Sequence, residues 1–229
     1  MSPPTATVSV VLPAYNEAAT IGGLVRRALD HVPGLLEVLV VDDGSDDDTA
    51  AQARRAGARV VSMPRNLGKG QALRRGVAEA RGDVLVFLDA DGQDDPAETG
   101  LLLDALVPGV DMVVGSRFLG HFERGSITPL NRAGNRFLTA ALNALFGTRF
   151  TDTQAGFKAV RSQALRGVEL RSDRFDIEVE LLLRVVEGGG RVVEIPVRRA
   201  PRAHGSSRLQ SFRDGGRILA RMVALRLGS

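Results

Sequence analysis

The chain has 229 residues, 44% hydrophobic and 25% charged, which suits one globular domain with a full core. It has no cysteine, which excludes disulfides and thiolate metal sites. No apolar run approaches the roughly 20 residues that span a bilayer, and the N-terminus lacks a signal-peptide core, so a soluble or peripheral body is expected. The net charge of +3 is unevenly placed: residues 191–229 hold 9 Arg and 2 acids, 9 − 2 = +7, leaving −4 elsewhere. A basic tail on an acidic body predicts a polyanionic partner. Aromatic content of 4% with no Trp leaves few surfaces for stacking bases. An anionic membrane surface or a phosphate-bearing substrate is therefore expected, and no nucleic acid.

In chain order, residues 7–12 read as a strand ending at Pro13. A helix follows over 17–31, with Asn16 as its N-cap. A buried strand is predicted over 37–41, a helix over 48–56 with Gly57 as its C-cap, and a strand over 59–62. Then come a helix over 69–80, a strand over 83–88, a helix from Pro96 to residue 106, and a strand over 111–115. The pattern weakens afterwards. Residues 118–130 read as a long loop, 131–146 and 176–187 as helices, 191–196 as a strand and 212–227 as a last helix. Strands alternating with helices at this spacing imply an α/β fold with a mainly parallel central sheet flanked by helices.

The segment 84–93, VLVFLDADGQ, is the most informative stretch. A short apolar run leads into Asp89 and Asp91, and in open α/β sheets ligands bind beyond the carboxyl ends of the strands. Asp at alternate positions with Gln93 beyond is oxygen-donor chemistry suited to Mg²⁺ or Mn²⁺ carrying phosphates. The turns 13–17 (PAYNE) and 42–45 (DDGS) also follow strands and belong at the same edge. Four clustered acids, Asp42, Asp43, Asp89 and Asp91, need a cation or hydrogen bonds between them. Residues 66–70 (NLGKG) precede a helix, where glycines and Lys69 favour phosphate, but they match neither a Walker A loop nor GxGxxG.

Taken in order, PAYNE, VDDGS (41–45), NLGKGQA (66–72), DADGQ (89–93), GSR (115–117), TDTQAGFK (151–158) and GSSRL (205–209) resemble the family 2 glycosyltransferases of GT-A fold. They are most similar to dolichol- and polyprenol-phosphate mannosyl and glucosyl synthases. The resemblance covers about residues 7–210, so residues 1–210 read as the catalytic domain and 211–229 as an appended basic amphipathic helix. It implies a nucleotide-sugar donor and inverting hexosyl transfer to a polyprenyl or dolichyl phosphate. Pro13, Ala14, Tyr15 and Glu17 would hold base and ribose, with Val41 and Asp43 beside the base and Lys69 and Ala90 at the nucleotide. Asp89, Asp91, Gln93 and Arg117 would form the catalytic set, with Asp91, Asp89 and Gln93 holding the metal. Arg117, Arg132, Arg202, Ser207 and Arg208 would gather donor and acceptor phosphates, where the guanidinium fork suits phosphate oxygens.

Two departures from the family pattern matter, the first of them for the sugar. Asp176 stands where the mannosyl type carries a basic residue, which resembles the glucosyl branch, and Arg208 replaces a customary Lys. A lipid phosphate is already an anionic nucleophile and needs no strong base. For a hydroxyl acceptor, such as a glycan or metabolite, Asp152, Asp176 or Glu178 would be the candidate bases. Strand-DADG also resembles the nucleophile motif of haloacid-dehalogenase phosphatases, although Gln93 is awkward there. In the last helix Arg213, Arg217 and Arg221 form one stripe, and Phe212, Leu219, Met222 and Val223 lie mostly on another. This suits either a membrane-surface helix or packing on the domain. The expected location is cytoplasmic, peripheral at the inner membrane face or beside a separate membrane protein.

Overall fold

The structure is a computed structural model that describes residues 6–202, 204 and 211–227. Motif residues 205–209, including Ser207 and Arg208, lie outside the described residues, as does the side chain of Phe212. In chain order the elements are β1 Val8–Ala14, α1 Ile21–His31, β2 Leu35–Asp42, α2 Thr49–Arg55, β3 Arg59–Ser62, α3 Lys69–Glu79, β4 Val84–Phe87, α4 Thr99–Ala105, β5 Met112–Phe122, α5 Pro129–Phe146, β6 Lys158–Arg161, α6 Ile177–Glu187, β7 Val192–Arg199 and α7 Ser211–Arg226.

The strands form one seven-stranded sheet in the order β3-β2-β1-β4-β6-β5-β7. Strands β1 to β4 are mutually parallel where they pair, β6 runs antiparallel to both β4 and β5, and β5 pairs parallel with β7. This is the expected α/β architecture of a GT-A fold. Strand β4 is buried along its whole length, and burial of each such apolar side chain contributes about 1.5–3 kcal/mol. Cores lie on both sheet faces: Ile21, Val25 and Leu102 pack on one, and Leu73, Ile177 and Leu181 on the other.

Three boundaries differ from expectation for physical reasons. Residues 118–130 are not all loop, because β5 continues to Phe122. Its register breaks after Ser116 and resumes with His121 opposite Arg198, while Gly120 lies so close to the Val197 backbone that a Cβ has no room. Strand β6 escapes a hydrophobic pattern because it starts with Lys158, which is wholly buried. Helix α1 starts at Ile21, not at residue 17, and Asn16 does not cap it. Asn16 takes a left-handed φ of 54°, donates its own N–H to Ser45 Oγ at 2.9 Å, and receives the Asp46 N–H on Oδ1 at 2.8 Å. It thereby ties two of the acidic turns together.

The helix opened by Pro96 divides into a 3₁₀ turn at Pro96–Glu98 and α4. Helix α7 uses its apolar face on the protein: Ile218, Met222 and Leu225 are buried with Leu138, Leu142, Val179 and Leu183 of α5 and α6. The predicted Arg stripe divides as well, with Arg221 paired to the wholly buried Glu180 and Arg213 exposed. No helix among the described residues is long and apolar enough to cross a membrane.

Candidate active site

Because β2, β1 and β4 are adjacent and parallel, their carboxyl-end turns share one edge. The edge is stitched by hydrogen bonds. Thr20 Oγ1 donates to Ala90 O at 2.7 Å, and the Glu17 N–H donates to Thr49 Oγ1 at 2.8 Å. Asp43 accepts the Leu67 and Gly68 N–H groups, each at 2.8 Å, and so anchors the glycine loop before α3. Burial pushes the Asp43 carboxyl up despite those two bonds.

Helix α3 starts against the loop 172–174. The Gly70 N–H donates to Asp173 O at 2.9 Å, and a Cβ at Gly70 would collide with the Ser172 and Asp173 backbone. That amide is committed within the protein, so this helix start is not the open phosphate cradle that its sequence suggested. Lys69 instead bridges two carboxylates, at 2.5 Å from Asp89 and 2.8 Å from Glu178. Burial disfavours its charge, but Asp89 and Glu178 outweigh burial and raise its pKa. Glu178 also pairs with the buried Lys158, whose pKa burial pulls down despite that partner.

Burial likewise opposes ionisation of Asp89, yet Lys69, with help from Arg199 and Arg117, holds it at about 2. Gly156 gives this carboxylate its place, since a Cβ there would lie 2.7 Å from Asp89 Oδ2. Asp91 Oδ1 accepts the Gln93 N–H at 3.0 Å. Its Oδ2 is 2.7 Å from Arg202 Nη2 and 3.8 Å from Arg199. Arg202 reaches Glu17 as well, at 3.4 Å.

The Gln93 side chain has three protein partners among the described residues. Its amide nitrogen donates to Ser126 O at 3.0 Å and Ala200 O at 2.9 Å, and its Oε1 accepts from Arg199 Nη2 at 2.9 Å. It pins the end of β7 to the turn after β4. Val41 is also not part of the cleft wall, because it is wholly buried in the core on the α3 side. Arg117 forms a buried fork with Asp152, at 2.6 and 2.8 Å, and its pKa is raised because Asp152 outweighs burial. Arg132 is exposed and lies 5.2 Å from the Phe122 ring centroid. Two candidate bases, Asp152 and Glu178, are thus tied into ion pairs, and Asp176 Oδ1 accepts the Arg174 N–H at 3.3 Å.

Sequence reasoning missed Arg199. It ends β7, is nearly buried, and joins Asp94 at 2.5 Å, Gln93 and Asp91. Its signal was available in the run VEIPVRR, where alternation places one of two adjacent arginines inside. Arg174 and Phe175, which also line the cleft, carried no motif.

Two cavities meet at the carboxylates. A cleft of about 250 Å³ is walled by Pro13, Ala14, Tyr15, Glu17, Asp43 and Lys69, with Asp89, Ala90 and Asp91 at its end. A larger cavity of about 810 Å³ shares Lys69, Asp89, Asp91 and Arg202 and runs between α5 and α7. The acidic pair fits a hard divalent cation: Asp89 is ionised, and Asp91 Oδ2 already holds a cationic guanidinium. Asp91 and Asp89 offer carboxylate oxygens here, Gln93 Oε1 is engaged by Arg199, and no cluster of three or more His, Cys, Asp or Glu side chains suited to a metal forms among the described residues.

Comparison with known proteins agrees. The family described as glycosyl transferase family 2 matches residues 9–168. Glycosyltransferase AglJ of Haloferax volcanii is 36% identical over 92% of this chain and 69% of its own length. The dolichyl-phosphate hexose transferase of the same organism is 32% identical, covering 92% of this chain and 90% of its own length. The dolichol-phosphate mannosyltransferase of Pyrococcus furiosus is 32% identical over 89% of this chain, which spans 59% of that protein. Among solved structures, glucosyl-3-phosphoglycerate synthase from Mycobacterium tuberculosis with Mn²⁺, UDP-glucose and phosphoglyceric acid superposes with a TM-score of 0.78 and 29% identity, over 97% of this chain and 80% of that one. With acidic turns gathered at one sheet edge and a family match across most of the chain, the protein belongs to the family 2 glycosyltransferases and resembles their polyprenyl-phosphate sugar synthases.

Proposed function

We propose that the enzyme transfers a hexose, with inversion, from a GDP- or UDP-linked donor to a polyprenyl phosphate. The observation that carries this reading is the 810 Å³ cavity. It joins an arginine-rich end at Arg117, Arg199 and Arg202 to walls that include Phe137, Leu138, Ile218 and Leu219. Such a cavity matches an acceptor with an anionic head and a long apolar tail. The nucleotide would occupy the smaller cleft, with Tyr15 and Asp43 beside the base and Asp89, Ala90 and Asp91 at the diphosphate.

An acceptor phosphate oxygen would attack the anomeric carbon while the bond to the donor diphosphate breaks, so the nucleoside diphosphate leaves. Ion pairing of Asp152 and Glu178 supports an acceptor that needs no strong base. Asp91 and Asp89 would hold Mg²⁺ or Mn²⁺, which supplies charge stabilisation for the leaving diphosphate. Arg202 would move from Asp91 to a phosphate, and Arg117 and Arg199 would set the positive field at that end.

We extend the reading to a peripheral membrane position at the cytoplasmic face. Exposed Leu130, Phe137, Val223 and Leu227, together with exposed Arg213, support it. The test is to follow lipid-linked product from GDP- and UDP-hexoses, Mg²⁺ or Mn²⁺ and a polyprenyl phosphate in detergent. Product with a metal requirement supports the proposal, and silence across the panel overturns it. A small phosphorylated acceptor is the second reading, favoured by the phosphoglyceric acid bound in the structural relative. Phosphoglyceric acid belongs in the same panel.

A further inference from the structure

Glycine is unfavourable inside a helix because it loses the most backbone freedom and contributes no packing. It persists where the backbone turns left-handed, where a neighbour leaves no room for a Cβ, or where a side chain would project into open space, whether bulk solvent, as at Gly23 of α1, or a cavity. Gly76 in α3 is the second case, since a Cβ there would strike Val11. Gly134 in α5 and Gly215 and Gly216 in α7 fit neither of the first two. None has a positive φ, and among the described residues a Cβ on any of them meets nothing within 4 Å, Gly134 and Gly216 being exposed and Gly215 half-buried.

All three line the 810 Å³ cavity, Gly134 from one helix and Gly215 and Gly216 from the other. Their apolar neighbours in that lining are Leu138, Ile218 and Leu219, and the cavity continues to the arginines near Asp91. An isoprenoid chain carries a methyl branch on every unit, so it needs a wide apolar channel directly behind its phosphate. A small phosphorylated acid needs only the arginine end.

From these observations we infer that Gly134, Gly215 and Gly216 are specificity-determining residues that keep the channel wide enough for the phosphate-proximal isoprene units of the acceptor. The inference rests on the lipid-acceptor reading above. Its test uses Gly134→Leu, Gly215→Leu and Gly216→Leu in the full chain, each with the corresponding Ala variant. Leucine and alanine are better helix formers than glycine, so melting temperatures hold or rise by roughly 1–4 °C. The KM for a long-chain polyprenyl phosphate in detergent rises about tenfold or more in the Leu variants and less in the Ala variants. The donor KM stays unchanged, which a general loss of structure would not allow. A wild-type enzyme that uses the lipid, with an unaltered lipid KM in all three Leu variants, overturns the channel inference alone. A wild-type enzyme that glycosylates phosphoglyceric acid and ignores polyprenyl phosphate overturns the lipid reading, and the inference falls with it. Should a Leu variant fail to fold, its Ala partner carries the same comparison, because its added Cβ meets no atom of the described residues within 4 Å.

Discussion

The two sides of the carboxylate pair are built by different means. On the β1–β2–β4 side, hydrogen bonds to backbone groups fix the turns: Asp43 takes two loop amides, Asn16 links to Ser45 and Asp46, and Thr20 reaches Ala90 O. On the β5–β7–α5–α7 side, long side chains do the joining, as in Arg117–Asp152, Arg199–Asp94 and Arg202–Asp91. The first side is preorganised by turns, so under the proposed function little there would reorganise when a nucleotide arrives. The second relies on arginines that can exchange one anion for another, beside a cavity that helices leave open. This division suits a site whose donor is compact and whose acceptor is long.

The sharpest way to break the comparison is at its shared residue. Asp91→Ala should lower turnover by on the order of 10²–10³-fold and remove metal-dependent nucleotide binding, read by calorimetry with UDP or GDP and Mn²⁺. Retained turnover would show that the two halves meet elsewhere. Next, Asp152→Ala leaves the buried Arg117 charge without its partner and should cost about 3–5 kcal/mol of stability, measured by denaturant unfolding. A loss under about 1 kcal/mol would mean that the β5–β7 side is not held by its ion pairs.

Gly156→Ala pushes directly on the Asp89 carboxylate. Turnover should fall about ten- to a hundredfold with the fold retained, since small misplacements at a reacting centre are costly. Full activity would show that Asp89 need not stay where Lys69 holds it. The pH dependence is a smaller effect. The folded-state pKa of Asp89 lies at about 2, below an unfolded value of about 3.9. Its contribution is therefore present above the unfolded value and lost as pH falls through the folded one. The stability gap between wild type and Asp89→Asn should close between about pH 4 and pH 2, followed by urea midpoints. Smallest of all, Val223→Asp on the exposed side of α7 should weaken binding to anionic vesicles and leave turnover in detergent intact. Unchanged vesicle binding would remove this position from the membrane contact. Deleting all of α7 is a poorer test, because Leu142 and Leu183 lie buried beneath it.

Much of the first half was legible because its signals are local. Apolar runs ending in acidic turns mark β1, β2 and β4, and three such turns on parallel neighbours must share an edge. The residues that mislead are those whose partners lie far along the chain. Gln93 follows the acidic pair like a ligand, but Ser126, Arg199 and Ala200 claim its amide. Lys69 sits in a glycine loop like a phosphate ligand, but Asp89 and Glu178 claim its charge.

The sequence by itself determined the strand–helix alternation, the acidic turns and the family, since periodicity and turn chemistry act over a few residues. Tertiary structure alone decided that a lysine opens the buried strand β6, which carboxylates Arg199 meets, and that α7 turns its apolar face to α5 and α6. The reason is electrostatic and steric. A charge takes whichever partner the topology brings within a few ångströms, and an amphipathic face covers whichever apolar surface lies open beside it. Neither choice is written in the spacing of the residues that make it.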